Sequence, residues 1–267
     1  MKNTLLTMVL FAAASAVCGQ NHTVSASSDD TDGFPLVDHT TCPIMISKDD
    51  GKTVNKVAQL FAGDIERVTG RVPRVVTSTK PKCKYMVVIG TIQGNDYLKK
   101  LGEAGKIDVH AIDNAWERYV VKVVENPSKG VEKALVIAGS DRRGAAYGTF
   151  AVSEAIGVSP WYWWADVPVE KKEKLMLKAD MISKSPSVKY RGIFINDEDW
   201  GLKPWASRNF EKELGDIGPR TYAKVCELIL RLKGNMLAPA MHSCTGAFYT
   251  HDKSKLVADT FGIIITT

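Results

Sequence analysis

The chain has 267 residues, of which 45% are hydrophobic and 24% charged, with a formal net charge of +5. That is the balance of a globular protein with one large or two ordinary domains, and it excludes disordered and fibrous classes. The mild positive charge comes with no Lys/Arg stripe and no aromatic-basic alternation, so nucleic acid is not an expected partner.

At the N-terminus, Lys2, an apolar run from Leu5 to Ala14 and the small residues before Cys18-Gly19-Gln20 read as a secretory signal peptide. The run is too short to span a bilayer. We therefore expect a signal over 1–19 and a secreted or periplasmic protein without membrane attachment. Cys18 keeps open a second outcome, lipidation as an outer-membrane lipoprotein, although Val17 fits the preceding position poorly. The polar stretch through Ser25–Gly33 predicts a flexible spacer over 20–40. Five cysteines, at 18, 42, 83, 226 and 244, form no CxxC pair and no framework spacing, which predicts mostly free thiols.

A first α/β domain is expected over 41–185. Ile44-Met45-Ile46 reads as a short strand, and Val54, Val57, Leu60, Phe61, Ile65 and Val68 share one face of a helix that Gly70 can end. Tyr85–Ile89 and Ala134–Ala138 are continuous apolar runs of the buried-strand kind, Arg118–Val124 alternates as a half-buried strand would, and Gly94–Ala104 is a weaker helix. Gly139-Ser140-Asp141-Arg142-Arg143-Gly144 joins strand to helix in the manner of a phosphate loop. Ala145 and Ala146 stand where the lysine and hydroxyl would have to be, so Ser140 or Asp141 is expected to cap the helix instead. Trp161-Tyr162-Trp163-Trp164 has two readings, a packing seam between domains or a sugar-stacking platform, which would make Trp163 and Trp164 substrate-binding.

Over 186–267 the pattern changes. Three short apolar runs, Tyr190–Ile195, Asn235–Ala240 and Gly262–Ile265, alternate with two helical segments, one marked by Tyr222, Val225, Cys226, Ile229 and Leu232, the other by Lys255–Ala258. Strand, loop, helix, strand is the unit of a (β/α)8 barrel, in which chemistry sits at the C-terminal ends of the strands. The expected fold class is thus α/β, with the start of a barrel following the first domain. Strand ends bring Asn196, Asp197, Glu198 and Asp199 to the rim beside Met241, His242 and Cys244. Paired carboxyls suit sugar hydrolysis, one as acid and one as base. Asp197 is the first candidate and Glu198 the second, because neighbours on an extended strand point to opposite sides. A turn cluster bonding backbone N–H groups is the alternative. His242 can hold an anionic substrate or stand as a satisfied rim histidine. His242, Cys244 and His251 lack metal-ligand spacing, so no metal is expected.

The segments Ser140–Gly144, Gly157–Pro168, Arg191–Asp199 and Leu228–Lys233 through Asn235 and Pro239–His242 resemble the glycoside hydrolase family 115 α-glucuronidases. The resemblance extends from about residue 40 to the last residue. It implies a hexosaminidase-like N-terminal α/β domain, a (β/α)8 barrel, a homodimer, and no cofactor. It also implies release of glucuronic or 4-O-methylglucuronic acid from glucuronoxylan or aldouronic acids with inversion, Asp197 lining the pocket and His242 beside it; Asn196 and Met241 are further substrate-binding candidates at the rim. The family's general acid lies on later strands, so the 267-residue chain is expected to be inactive by itself. Two rivals stand beside this reading: a non-catalytic carbohydrate-binding or scaffold protein using Trp161–Trp164, and a hexosaminidase-like enzyme.

Overall fold

A computed structural model describes residues 23–77, 83–196 and 198–266. The predicted signal peptide, Cys18 and the candidate Asp197 lie outside the described residues.

Where a flexible spacer is expected over 20–40, the chain forms strands instead. Val24–Ser27 (β1), Phe34–Asp38 (β2) and Thr40–Thr41 (β3) belong to a sheet, and Phe34, Leu36 and Val37 are fully buried. Polar composition hid β1 because an edge strand is held by its backbone bonds and needs little apolar surface of its own. The next elements are Ile44–Met45 (β4), Gly51–Thr69 (α1), Val75–Val76 (β5), Tyr85–Thr91 (β6) and Asp96–Glu103 (α2). Tyr119–Ser128 (β7), Val131–Gly139 (β8), Arg142–Ala155 (α3) and Leu175–Ile182 (β9) complete this unit. Its nine described strands run in the order β3-β2-β9-β7-β8-β6-β4-β5, with β1 paired to β9, and β8, β6, β4 and β5 are mutually parallel.

Both faces of this sheet are covered, which explains the continuous apolar runs. Val87, Ile89, Leu135 and Ile137 face α1 and α3, while Met86, Val88, Ala134 and Val136 belong to the core shared with α2. The alternation seen in β7 is therefore two buried faces at its start, with Tyr119 and Val121 on one side and Val120 and Val124 on the other, and not a half-exposed strand. Helix ends follow their chemistry. Gly70 takes the left-handed conformation at φ 73° and donates its N–H to the Glu66 carbonyl. Asp141 accepts from the N–H groups of Arg143 and Gly144, so the donors that a phosphate would need are already satisfied.

The second unit holds Gly192–Phe194 (β10), Leu202–Trp205 (α4), Pro219–Arg231 (α5), Met236–Ala238 (β11), Asp252–Phe261 (α6) and Ile264–Ile265 (β12). Its strands form a parallel sheet in the order β10-β11-β12, with α5 and α6 as the crossovers. Gly192 lets β10 approach its neighbour closely, since a Cβ there would fall 1.9 Å from the Met236 carbonyl oxygen. The layer of α1 and α3 packs on the large sheet with one side and on α5 and α6 with the other, and one continuous apolar core joins the two units. None of the described helices is long and apolar enough to cross a membrane.

Polar pins reinforce the junction. Glu117, 1% exposed, accepts from Arg143 Nε at 2.6 Å, from Asn235 Nδ2 at 2.7 Å and from Arg191. Arg231 on α5 makes a two-pronged contact with Asp64 on α1, both bonds at 2.9 Å.

Candidate active site at the strand ends

The rim of the small sheet is made by two loops, one after β10 and one after β11. Asn196 is exposed at the start of the first loop, and the chain then turns through Glu198, Asp199 and Trp200 into α4. Glu198 is fully buried: its Oε1 accepts the N–H groups of Met241 at 2.8 Å and His242 at 2.9 Å. Its second oxygen is buried without a partner among the described residues. Glu198 therefore ties the second loop to the first, the turn-clamp alternative, and offers no exposed carboxyl to a substrate.

Burial by itself would raise the Glu198 pKa, but the backbone N–H groups of His242, of Glu198 itself and of Met241 outweigh it and hold the carboxyl below the ordinary glutamate value. A carboxyl depressed on folding contributes stability that is fully present above the unfolded-state pKa of about 4.3 and is lost as pH falls through the lower folded value. Glu198→Gln is expected to cost about 1.5–3 kcal/mol at neutral pH, the range for hydrogen bonds to a charged group. Urea midpoints taken from pH 7 downward should show the wild type and variant converging below about pH 4, through the protonation of this one carboxyl. A gap independent of pH would rule the ionised clamp out.

The second loop is gripped again by Asp216, which precedes α5. Its carboxylate accepts from the Thr245 hydroxyl at 2.5 Å, from Gly246 N–H at 2.9 Å and from Ile217 N–H at 2.8 Å, and it pairs with His251 Nε2 at 3.0 Å. Burial raises its pKa, and these donors more than compensate, leaving it below the ordinary value. Glu211, 2% exposed, caps α5 by accepting the N–H groups of Gly218, Arg220 and Thr221. Sequence reasoning missed both carboxylates. Glu211 had a signal, since Gly218 supplies no capping side chain and a helix start needs one from elsewhere.

His242 is held with its Nδ1 3.3 Å from Asp199 Oδ2, its side chain 45% exposed, and Met241 beside it is 58% exposed. The neighbouring Cys244 thiol and His242 draw the Asp199 pKa below its usual value against the opposing effect of burial. His251 is committed to Asp216, so His242, Cys244 and His251 do not converge. Among the described residues no group of three or more His, Cys, Asp or Glu could hold a metal ion. Cys42, Cys83, Cys226 and Cys244 are free thiols.

The aromatic run occupies a turn between the two units. Trp163 packs edge-on against Trp164, Trp205 and Phe210 at centroid distances of 4.8, 5.6 and 5.2 Å. The Trp164 indole donates to the Lys224 carbonyl and the Tyr162 hydroxyl to Glu227. These contacts are those of a packing seam, and Trp163 and Trp164 do not join the rim cluster of Glu198, Asp199 and His242.

Residues 183–267 match the model of Glycosyl hydrolase family 115. A solved family GH115 4-O-methyl-alpha-glucuronidase with specificity for decorated arabinogalactans is 38% identical over 87% of this chain, with a TM-score of 0.73. The chain spans 29% of that enzyme's length. A family GH20 beta-N-acetylhexosaminidase from Streptomyces coelicolor aligns over 92% of this chain and 44% of its own at a TM-score of 0.50 and 11% identity, a likeness of fold alone. No curated protein matches the sequence. On the family match, and on the 38% identity that carries it across both units, the chain belongs to glycosyl hydrolase family 115.

Proposed function

We propose that this chain supplies the N-terminal α/β domain and the first barrel strands of an α-glucuronidase, a glycosidase that removes (4-O-methyl)glucuronic acid from the side chains of a plant polysaccharide. One observation carries the reading: at the C-terminal ends of two adjacent parallel strands, Glu198 locks together the loops that bear Asp197, Asp199 and His242. That is where a (β/α)8 barrel places its chemistry. The open parallel sheet favours further strands as well, because parallel sheets bury both faces, and Ile193 and Phe194 of β10 are 38% and 52% exposed.

Xylan is the substrate that the sequence resemblance implies, and arabinogalactan is named for the solved relative. Both readings share the uronic acid, and the rim suits it with an imidazole beside polar backbone. Inversion needs an acid and a base carboxyl about 6.5–9.5 Å apart. Asp197 is the carboxyl assigned to one side of that pair. Glu198 is committed to backbone N–H groups, and Asp199, its side chain 44% exposed, is paired with His242, so neither described rim carboxyl stands unpaired as the second member. A secreted or periplasmic enzyme fits a polymeric substrate, and dimerisation follows the family resemblance.

The test titrates methyl 4-O-methyl-α-glucuronide into the 267-residue chain by calorimetry or NMR. Saturable binding, weakened at least tenfold by Asp197→Asn and by His242→Ala, is expected. The same chain is expected to release no glucuronate from glucuronoxylan or from glucuronidated arabinogalactan. Binding that survives both substitutions would remove the site from this rim, and turnover by the chain would refute the incomplete acid–base pair.

A further inference from the structure

The His242 environment is more specific than a rim histidine requires. Its backbone N–H is held by Glu198 Oε1 at 2.9 Å and its carbonyl by the N–H of Thr245 at 3.1 Å. Among the described residues the ring has one hydrogen-bond partner, Asp199 Oδ2 at Nδ1, and Nε2 has none. The Cys244 thiol is a neighbour of Asp199, Lys203 of α4 contributes positive charge to it, and Glu198 places negative charge near the thiol. A carboxylate on one imidazole nitrogen decides what the other can do, because neutral imidazole has one donor and one acceptor.

We propose that Asp199 is a positioning residue that fixes the tautomer of His242: it accepts the Nδ1 proton, so that neutral His242 offers its Nε2 lone pair outward to a sugar hydroxyl. The hydroxyl as ligand rests on the glucuronidase reading above, but the tautomer does not. An ionised Asp199 cannot donate, so the bond at Nδ1 exists only with the proton on the ring. Glu198 then sets where the ring is rooted, Asp199 sets how it turns, and Nε2 is the atom left for recognition.

The experiment needs no substrate. The chain carrying 15N-labelled histidine is examined by long-range 15N–1H correlation NMR above the titration of the ring, where each neutral tautomer gives its own pattern. His242, assigned by its loss in His242→Ala, is expected to be protonated at Nδ1 in the wild type. In Asp199→Ala it is expected to shift towards the Nε2–H form by a several-fold change in tautomer ratio. Cys244→Ala keeps the carboxylate and should keep the tautomer, and it serves as the folded control together with Asp199→Asn if the alanine variant does not fold. An Nε2–H tautomer in the wild type, or a ratio unmoved by either Asp199 substitution, overturns the proposal. Failure of methyl glucuronide to bind would instead strike the glucuronidase reading and leave the tautomer result for Asp199 intact.

Discussion

Glu117→Ala is expected to destabilise the chain by about 3–5 kcal/mol, the range for removing one partner from a buried, hydrogen-bonded charge cluster. Against a total of about 5–15 kcal/mol for an ordinary domain, that is a large fraction. The size follows from what the carboxylate serves. Arg191 precedes β10 and Asn235 precedes β11, and both donate to Glu117. Arg143 donates to Glu117 through Nε and to the Gly262 carbonyl, just before β12, through Nη1 at 3.1 Å. Glu117 thus bonds the residues that precede β10 and β11 and, through Arg143, is linked to the segment before β12, and the Tyr147 hydroxyl adds a bond to the Gly234 carbonyl at 2.8 Å. Without Glu117, two guanidinium groups lie in the junction with no counter-charge. The backbone at Glu117 also sits at φ 56°, uncommon for a residue with a side chain, and its N–H is held by Asp141 at 2.8 Å, so the network maintains this conformation. Denaturant unfolding should show the loss. Glu132→Ala, which removes an exposed pair with Lys84, should leave the unfolding midpoint nearly unmoved as a control. A Glu117→Ala variant as stable as Glu132→Ala would refute the linking role.

The elements legible in the sequence are those whose signal is local. The apolar face of α1, the glycine that ends it, the Asp141 cap and the three strands of the small sheet all follow from periodicity and from residues within a few positions of one another. The carboxylates that organise the site were not legible in the same way. Glu117 and Asp216 act chiefly on residues that the fold brings to them, and nothing in their immediate neighbours distinguishes a buried acceptor from a solvated glutamate or aspartate; Glu211 left only the indirect signal of a helix start without a capping side chain. Glu198 shows the limit most clearly. As an acidic residue at a strand end it fits a catalytic role, and only the two N–H groups arriving from the loop after β11 identify it as a clamp. The strand β1 failed for the opposite reason: its identity lies in backbone pairing with β9, which composition does not record.

Arg231→Met should match or approach the effect of Glu117→Ala, and its pattern of recovery makes the sharper test. Arg231, with its side chain 2% exposed, binds Asp64 through Nη1 and Nη2, Glu227 through Nε at 3.0 Å, and lies 4.5 Å and 4.9 Å from the Phe150 and Tyr162 ring centroids. Methionine keeps much of the packing volume but takes the shared buried cation from Asp64 and Glu227, leaving them only the more exposed Arg67 and Lys224, each at 3.3 Å, and breaking a buried pair in this way costs about 3–5 kcal/mol. Burial raises the Glu227 pKa, and Arg231, Lys224 and the Tyr162 hydroxyl together pull it below the ordinary value in the native protein. Without Arg231 the burial effect gains ground, so lowering the pH, which destabilises the wild type through this carboxyl, should destabilise the variant less and narrow the gap. Replacing the whole cluster is predicted to be milder than breaking it. Arg231→Met combined with Asp64→Leu and Glu227→Met removes the stranded charges, and buried ion groups exchanged for apolar residues of similar volume are often neutral or stabilising. The triple variant should therefore recover at least half of the single variant's loss in a urea titration. The three residues share one network, so their effects should be strongly non-additive. Losses that simply sum across the three substitutions would mean that packing, and not charge compensation, holds α5 to α1 at this point.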